Sequence, residues 1–260
     1  MNVRFALLVA AGCCVLAFTK ETTMADELPL EKREFQGAGE ARLLYRLLKP
    51  AEYKAETKYP LVVFLHGAGE RGNDNTAQLK HGVAEFCTPE RRRAYPCFLI
   101  APQCPEGKKW VEVDWSAAAH RAPEEPSDAL GLTFSLIESL QKEFSLDANR
   151  IYVTGLSMGG YGTWDAAARH PERFAAAVPI CGGGDEKSAP RLVNLPLWAF
   201  HGAKDEAVKV ERSRNMIEAI RQAGGHPNYT EYAEEGHASW VPAYRDEELY
   251  KWLFAQRRTP

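Results

Sequence analysis

The chain has 260 residues, of which 45% are hydrophobic and 26% are charged, and its formal net charge is −3. This length and composition fit one globular domain with a sizeable core. The small net charge offers no basic surface for nucleic acid, and the run Arg91 to Arg93 is expected to be a solvated helix end.

The first 25 residues predict an export signal. Arg4 precedes an apolar stretch from Phe5 to Phe18, which at 14 residues is too short for an ordinary membrane span. Small residues up to Ala25 predict cleavage after that position, and therefore a secreted or periplasmic protein with no membrane span after processing. Two alternatives stay open. One is a lipoprotein anchored at Cys13, whose preceding residues resemble a lipobox, and the other is an uncleaved N-terminal anchor.

The sequence beyond this signal predicts the α/β class. Residues 26–40 are polar and predict a short lead-in, and residues 41–260 form one further domain. Apolar runs alternate there with helical patterns, which indicates right-handed crossovers and a mainly parallel sheet. The predicted strands are 42–48 at one sheet edge, 61–65, 98–101, 151–154, 176–180, 197–200, and 228–232 near an edge. The predicted helices are 127–144, 160–170, 210–223 and 246–255.

Two predicted connections are unusually long, residues 67–82 and 103–126, and loops of this length commonly have a function. The second includes His120, for which the sequence offers no partner and which is expected to be a solvated loop residue. Neither the Cys-x-x-Cys nor the His-x-x-x-His spacing occurs in the chain, so we expect no metal site and no cofactor. Four cysteines lie beyond the signal and allow three complete disulfide pairings, among which the sequence does not choose. They are Cys87, Cys97, Cys104 and Cys181.

The strongest chemical signal is the Gly-x-Ser-x-Gly motif at residues 155–159. A β-branched run precedes it and a helical pattern follows it, which is the strand–turn–helix setting that this motif requires. The two glycines let neighbouring backbone approach the turn. The turn places the serine hydroxyl over a helix N-terminus, whose partial positive charge suits a developing oxyanion. Ser157 is therefore the candidate nucleophile.

A serine nucleophile needs a histidine base and a carboxylate that orients the base. In this architecture the acid and then the histidine follow the serine along the chain. Asp205 follows the strand 197–200 and is the first choice for the acid, with Glu206 and Asp185 as competitors. His237 follows the last predicted strand and is the candidate base, whereas His226 precedes that strand.

Two backbone N–H groups should form the oxyanion hole. One belongs to Met158, the residue after the nucleophile. The other belongs to the loop after the strand 61–65, where Ala68 is the first choice and Gly69 the second. We expect His66 to support this loop through hydrogen bonds.

Several motifs together resemble a known family. They lie at residues 65–72, 101–105, 155–162, 199–205 and 236–240. In combination they resemble the exported α/β-hydrolases often labelled as predicted peptidases, which are similar to polyhydroxybutyrate-depolymerase-like enzymes and to feruloyl or acetyl-xylan esterases. The resemblance covers about residues 40–256. It implies the α/β-hydrolase fold and the same serine, aspartate and histidine triad, so that residues 41–260 would be the catalytic domain.

The segment from Cys181 to Pro196 has 16 residues and includes three consecutive glycines, which leaves no room for a large helical cap. An uncapped site suits short acyl groups or esters carried on a polysaccharide. Four side chains are candidates for substrate contact, and each has a structural alternative: Trp110 and Trp115 would otherwise pack their loop, Trp240 would anchor the last helix, and Arg71 would form a loop ion pair.

The sequence therefore favours a serine carboxylic-ester hydrolase acting through an acyl-enzyme on short-chain, feruloyl or acetyl esters. One alternative is a serine peptidase of the prolyl-oligopeptidase-like class, for whose usual gating domain this sequence has no room. The other is a binding protein that kept the fold without catalysis. The expected partner is the ester substrate, and the oligomeric state is left open.

Overall fold

The computed structural model describes residues 28–258. The predicted export signal and Cys13 lie outside the described residues. Within residues 28–258, none of the helices combines the length and the apolar character needed to cross a bilayer.

Eight strands form one sheet in the order β1-β2-β4-β3-β5-β6-β7-β8. Strands β1, β2 and β4 pair antiparallel, and the six strands from β3 to β8 run parallel. The parallel strands end at a common edge, which is where a fold of this class carries its site. The strands are Leu30–Gln36 (β1), Arg42–Leu48 (β2), Tyr59–Leu65 (β3), Phe98–Pro102 (β4), Leu146–Leu156 (β5), Ala176–Ile180 (β6), Trp198–Gly202 (β7) and Asn228–Tyr232 (β8).

Seven α-helices occur within the described range, and four short 3₁₀ helices accompany them. All seven predicted strands and all four predicted helices are present, and most ends agree within two residues. Ser127 caps its helix as predicted, because its side chain accepts a hydrogen bond from the Leu130 amide. The helices are Val83–Phe86 (α1), Pro89–Ala94 (α2), Asp128–Glu143 (α3), Met158–Arg169 (α4), Glu211–Gln222 (α5), Trp240–Arg245 (α6) and Glu247–Ala255 (α7).

The N-terminal side of the sheet differs from the prediction. Strand β1 pairs with β2 from Leu30 opposite Leu48 to Gln36 opposite Arg42. The prediction that residues 42–48 form an edge strand is therefore wrong, because β1 occupies that edge. The lead-in prediction missed this strand, whose charged side chains hide the usual apolar signal and are typical of a sheet edge. At the opposite edge, β8 lies where it was predicted.

Arg91 also departs from the prediction of a solvated helix end. Its side chain is 11% exposed and pairs with Glu85 at 2.8 Å. Its guanidinium lies 3.9 Å from the centre of the Tyr250 ring, which joins α2 to α7. Arg93 follows the prediction, since its side chain is 70% exposed.

The core has two layers, one on each face of the sheet. Along β3, Leu61, Val63 and Leu65 face one apolar cluster, whereas Val62 and Phe64 face the other. Helices α3, α4 and α5 cover the first cluster, and α1, α6 and α7 cover the second. A strand that is covered on both faces has a continuous apolar sequence, and for this reason β3 was predictable from the sequence.

The four cysteines in the described range are buried and unpaired. Burial raises the pKa of the Cys87, Cys97 and Cys104 thiols to about 12 in each case. These thiols are therefore neutral packing groups. Cys104 and Cys181 follow the ends of β4 and β6, at the edge where the parallel strands end.

Candidate active site

The turn between β5 and α4 holds Ser157 in a strained conformation. Its φ is +55° and its ψ is −117°, a region that non-glycine residues rarely adopt and that often marks a functional site. The Ser157 amide donates to the Ile180 carbonyl at 3.0 Å. The neighbouring glycines permit this turn: a Cβ on Gly159 would lie 1.9 Å from the Leu65 carbonyl oxygen.

The candidate nucleophile, base and acid form a continuous chain of hydrogen bonds. The Ser157 hydroxyl lies 2.9 Å from Nε2 of His237. Nδ1 of His237 lies 2.7 Å from Oδ2 of Asp205. A neutral imidazole with its proton on Nδ1 satisfies both contacts, since it donates to the carboxylate and accepts from the hydroxyl. This tautomer is the one that general-base activation of a serine requires.

The Asp205 carboxylate is held from several sides. Its Oδ1 accepts from the amides of Ala207 and Val208, each at 2.9 Å. Burial alone would raise its pKa, but hydrogen bonds from His201, His237 and the Val208 amide outweigh burial and hold the pKa well below its usual range. The carboxylate therefore stays ionised while it orients His237.

His201 is a supporting residue that the sequence reasoning missed. It is fully buried at the end of β7, and its Nε2 lies 3.2 Å from Oδ2 of Asp205 and 2.9 Å from the Val208 carbonyl. Its Nδ1 lies 2.7 Å from the Ser213 hydroxyl on α5. Its position four residues before Asp205 was visible in the sequence, but nothing in the spacing shows which way a strand-end side chain points.

The loop after β3 is held by His66, as predicted. The buried His66 ring lies 2.6 Å from the Gly67 carbonyl through Nδ1 and accepts from the Cys104 amide at 2.9 Å through Nε2. Burial lowers the pKa of His66 to about 4, so this ring is neutral and keeps one fixed tautomer. Ala68 and Gly69, the candidate oxyanion donors, open a 3₁₀ turn next to this anchor.

Arg71 and Trp110 take structural positions around the same loop. Nε of Arg71 donates to the Ala68 carbonyl at 2.8 Å, and its guanidinium also reaches the Lys108 carbonyl. Trp110 is fully buried and donates to the His66 carbonyl at 2.9 Å. The candidacy of Trp110 for substrate contact is therefore wrong, because a side chain without exposed surface packs its loop instead.

Two other tryptophans stay partly exposed at the site. Trp240 stands edge-on to the His237 ring, with ring centres 5.3 Å apart. Trp115 lies on the long loop, where Nζ of Lys109 is 4.8 Å from its ring centre and the Arg71 guanidinium is 6.0 Å away. Both remain candidates for substrate contact.

The competing acid and base candidates lie elsewhere. Asp185 binds Arg121 and the Ala122 amide and caps a 3₁₀ turn, so it anchors the long loop. Glu206 and His226 are exposed.

His120, for which a solvated position was the default expectation, is instead partly buried and contacts Arg212. Burial and the Arg212 charge lower the pKa of His120 to about 4.

In the part of the chain that the structure describes, one group of three potential metal ligands lies close together. It consists of Cys181, Asp205 and His237. Both ring nitrogens of His237 already have hydrogen-bond partners, and burial raises the pKa of the Cys181 thiol far above neutrality. Because its ring nitrogens are engaged and the neighbouring thiol is neutral, His237 is placed for proton transfer with Ser157 rather than for binding a metal ion.

Comparison with known proteins matches residues 115–249 to the dienelactone hydrolase family. The chain belongs to the dienelactone hydrolase family. The fold is that of the α/β-hydrolases. Solved structures similar to this chain include esterases and peptidases. The family match and the esterase neighbour at 41% identity support hydrolysis of carboxylic esters, whereas the peptidase at 15% identity shows the fold alone.

Three similar proteins indicate the range of these relatives. A thermostable esterase shares 41% identity with a TM-score of 0.82 over 88% of this chain and 64% of its own. A ferulic acid esterase matches 86% of this chain and 96% of its own with a TM-score of 0.63 at 16% identity, which shows the fold alone. The bifunctional acetylxylan esterase/xylanase XynS20E of Neocallimastix patriciarum is 28% identical over 86 residues, 33% of this chain and 13% of that protein.

Proposed function

We propose that this protein is a serine carboxylic-ester hydrolase that works through an acyl-enzyme. The observation that carries the proposal is the unbroken path from the Ser157 hydroxyl through His237 to Asp205, at 2.9 Å and 2.7 Å. This path begins at a strained turn over a helix N-terminus, where an oxyanion would be stabilised.

The proposed reaction has two halves. In the first, Oγ of Ser157 attacks the ester carbonyl carbon while Nε2 of His237 takes the hydroxyl proton. The carbonyl oxygen becomes an oxyanion, and the N–H groups of Met158 and Ala68 (or Gly69) donate to it. His237 then gives its proton to the departing alkoxide, which leaves an acylated serine and a free alcohol.

In the second half, water takes the place of the alcohol. His237 removes a proton from the water as it attacks the acyl carbon, and the same N–H groups stabilise the second oxyanion. Collapse of this intermediate returns the proton to Ser157 and releases the carboxylic acid. Asp205 stays ionised throughout and offsets the charge on the imidazolium.

We propose short-chain or polysaccharide-linked esters, such as feruloyl or acetyl esters, as the substrates. The connection from β6 to β7 supports this choice, because its regular structure is limited to a 3₁₀ segment over Glu186–Leu192. This connection carries no helical cap within the described residues, and a site without such a cap suits short acyl groups better than a long acyl chain. The names of the acetylxylan and ferulic acid esterases among the similar proteins point the same way.

The decisive experiment compares wild-type protein with Ser157→Ala on 4-nitrophenyl acetate and methyl ferulate. We expect the variant to lose most of the rate, on the order of 10⁵–10⁶-fold. Ser135→Ala, at an exposed hydroxyl on α3, is the matched control and should keep the wild-type rate. Intact-mass measurement should detect an acyl adduct on wild-type protein during turnover and none on Ser157→Ala.

Two results would contradict the proposal. A Ser157→Ala rate close to wild type would remove this serine from the mechanism. A wild-type protein without turnover on any ester would favour the non-catalytic alternative, and hydrolysis of peptides without ester preference would favour the peptidase.

We also propose export through the N-terminal signal. N-terminal sequencing of protein recovered from the medium or periplasm should find Asp26 as the first residue. A lipid-modified Cys13, detected by mass spectrometry in the membrane fraction, would instead establish lipoprotein anchoring.

A further inference from the structure

A row of contacts runs from the candidate base His237 to the loop after β3. Trp240 lies against His237, and the centre of its ring is 5.4 Å from the ring centre of His81. Nε2 of His81 is 3.7 Å from Oε1 of Glu70. Glu70 ends the 3₁₀ turn that begins with the candidate oxyanion donor Ala68. Trp240, His81 and Glu70 therefore form a continuous row of side chains from His237 to the loop that carries Ala68, and we call them the alcohol wall.

The chemistry of ester cleavage assigns a role to this side of the cleft. The leaving oxygen must take its proton from Nε2 of His237, so the alcohol portion of the substrate lies beside that ring. Trp240 is packed against His237, whereas Trp115 lies against Lys109 and the Arg71 guanidinium. The alcohol wall, which includes Trp240, thus lies on the side of the site where the alcohol portion of the substrate leaves.

Glu70 has an unused hydrogen-bonding capacity. Its side chain is only 7% exposed, and its nearest basic partner within residues 28–258 is His81. Their separation of 3.7 Å is longer than a direct hydrogen bond. Neither carboxylate oxygen of Glu70 is one of the side-chain atoms in the described range that are both fully buried and unpartnered, so the carboxylate keeps an open side at which it can accept a hydrogen bond. A hydroxyl placed between the two side chains would donate to Glu70 and accept from His81.

Apolar side chains accompany the polar pair of Glu70 and His81. Trp240 is partly exposed, and Val241 beside it is the large apolar side chain that stands out as exposed in the described range, at 40%. A flat apolar surface next to a paired donor and acceptor matches an alcohol that has C–H faces and several hydroxyls.

We propose that Trp240, His81 and Glu70 form the subsite for the leaving alcohol and that this subsite selects a polyhydroxylated alcohol such as a sugar. The proposal rests on the proposed ester hydrolysis, since it names the alcohol that the same reaction releases. Glu70 and His81 bind one substrate hydroxyl between them, and Trp240 stacks on the adjacent ring face.

The test compares two esters with the same acyl group, acetylated xylobiose and ethyl acetate, by titrating the acid that each reaction releases. The ratio of their kcat/KM values reports on acylation, the step in which the alcohol leaves. We expect Glu70→Gln and His81→Phe each to lower this ratio about tenfold or more, as expected for loss of a hydrogen bond to a charged group. Thermal melting would verify that both variants are folded.

His170→Phe is a closely matched control. His170 is 33% exposed like His81, lies 3.1 Å from Glu172, and packs on the Phe134 ring at 4.8 Å. It lies at the C-terminal end of α4, away from the triad, so the ratio should stay at the wild-type value.

Other outcomes would overturn the subsite. Equal losses on both esters would mean that Glu70 and His81 only support the loop. A wild-type preference for acetylcholine that Glu70→Gln abolishes would make the wall a cation site instead.

Failure of the proposed function can be distinguished from failure of the subsite, because wild-type protein would then cleave none of the esters. In that case calorimetric titration of wild-type protein with xylobiose, the product alcohol, still tests the wall. Binding that Glu70→Gln removes supports the subsite, and the absence of binding overturns it.

Discussion

The turn at Ser157 and the loop of residues 103–126 are neighbours, since the Tyr161 hydroxyl on α4 donates to the Trp115 carbonyl, but they are fixed in opposite ways. The turn is held by backbone against backbone: a Cβ on Gly159 would lie 1.9 Å from the Leu65 carbonyl oxygen, and one on Gly160 would lie 2.3 Å from that of Ile180. No side chain fits into these contacts, so the position of the nucleophile depends on the absence of side chains.

The long loop is held by side chains that reach into it from the body of the protein. Arg212 donates to the Ala118 carbonyl at 2.6 Å, and Arg169 donates to the Pro123 carbonyl at 2.6 Å. These anchors bind loop carbonyls, which every residue type has. The loop can therefore change its own side chains, and with them substrate preference, without loss of position. The turn at Ser157 cannot exchange its glycines for other residues in this way.

The sharpest test of this difference is Gly159→Ala. Because the new methyl group would overlap the Leu65 carbonyl, we expect the unfolding free energy to fall by at least about 4 kcal/mol, with complete loss of activity. Urea denaturation followed by circular dichroism measures the change. Gly131→Ala, in the first turn of α3, is the control: the nearest neighbour of the new methyl group would be Pro126 at 3.8 Å, and we expect stabilisation by about 0.5–1 kcal/mol. Similar effects of the two substitutions would contradict the comparison.

On the loop side, the largest effect is expected for Arg212→Met. The methionine retains apolar packing but leaves the carbonyls of Ala118 and Gly184 without their donor. We expect a loss of about 3 kcal/mol in unfolding free energy and faster proteolysis between residues 115 and 126. Arg214→Met on the same helix removes an exposed pair with Glu231 and should cost less than about 1 kcal/mol. An intact loop in Arg212→Met would show that other contacts suffice.

Between the two regions lies the loop after β3, which His66 fixes through a side chain even though it supplies backbone donors. We expect His66→Phe to keep the ring volume and the fold but to lower kcat about 100-fold, because the Gly67 carbonyl and the Cys104 amide lose their partner. Steady-state kinetics on 4-nitrophenyl acetate should place the loss in kcat more than in KM. A kcat within twofold of wild type would show that the oxyanion donors hold their position without His66.

The same contrast explains how much was predictable from sequence. The turn, the strand ends and the chain order of serine, aspartate and histidine are local patterns, and they located Ser157, Asp205 and His237 where the structure brings them together. Strand β1 was missed because its charged residues carry no apolar alternation. His120 was expected in solvent, because its partner Arg212 lies 92 residues away and only tertiary structure brings them together.

The smallest expected effect concerns that His120 contact and its pH dependence. The folded pKa of His120 is lowered to about 4 by burial and by Arg212, whereas an unfolded histidine titrates near 6.5. Between these values the unfolded chain binds a proton that the folded chain excludes, so stability falls as the pH drops from about 6.5 to 4. His66 contributes in the same window, since its pKa is also lowered to about 4.

His120→Gln removes one of these two groups. The melting temperature of this variant should therefore decline less steeply than that of wild type between pH 7 and pH 5, when both are followed by differential scanning calorimetry. Asp205 does not enter this window, because its lowered pKa places its loss of stability below about pH 4. Parallel pH curves for the two proteins would mean that His120 takes up its proton without opposition from Arg212. The long loop would then be held by the Arg212 contact to the Ala118 carbonyl rather than by the histidine.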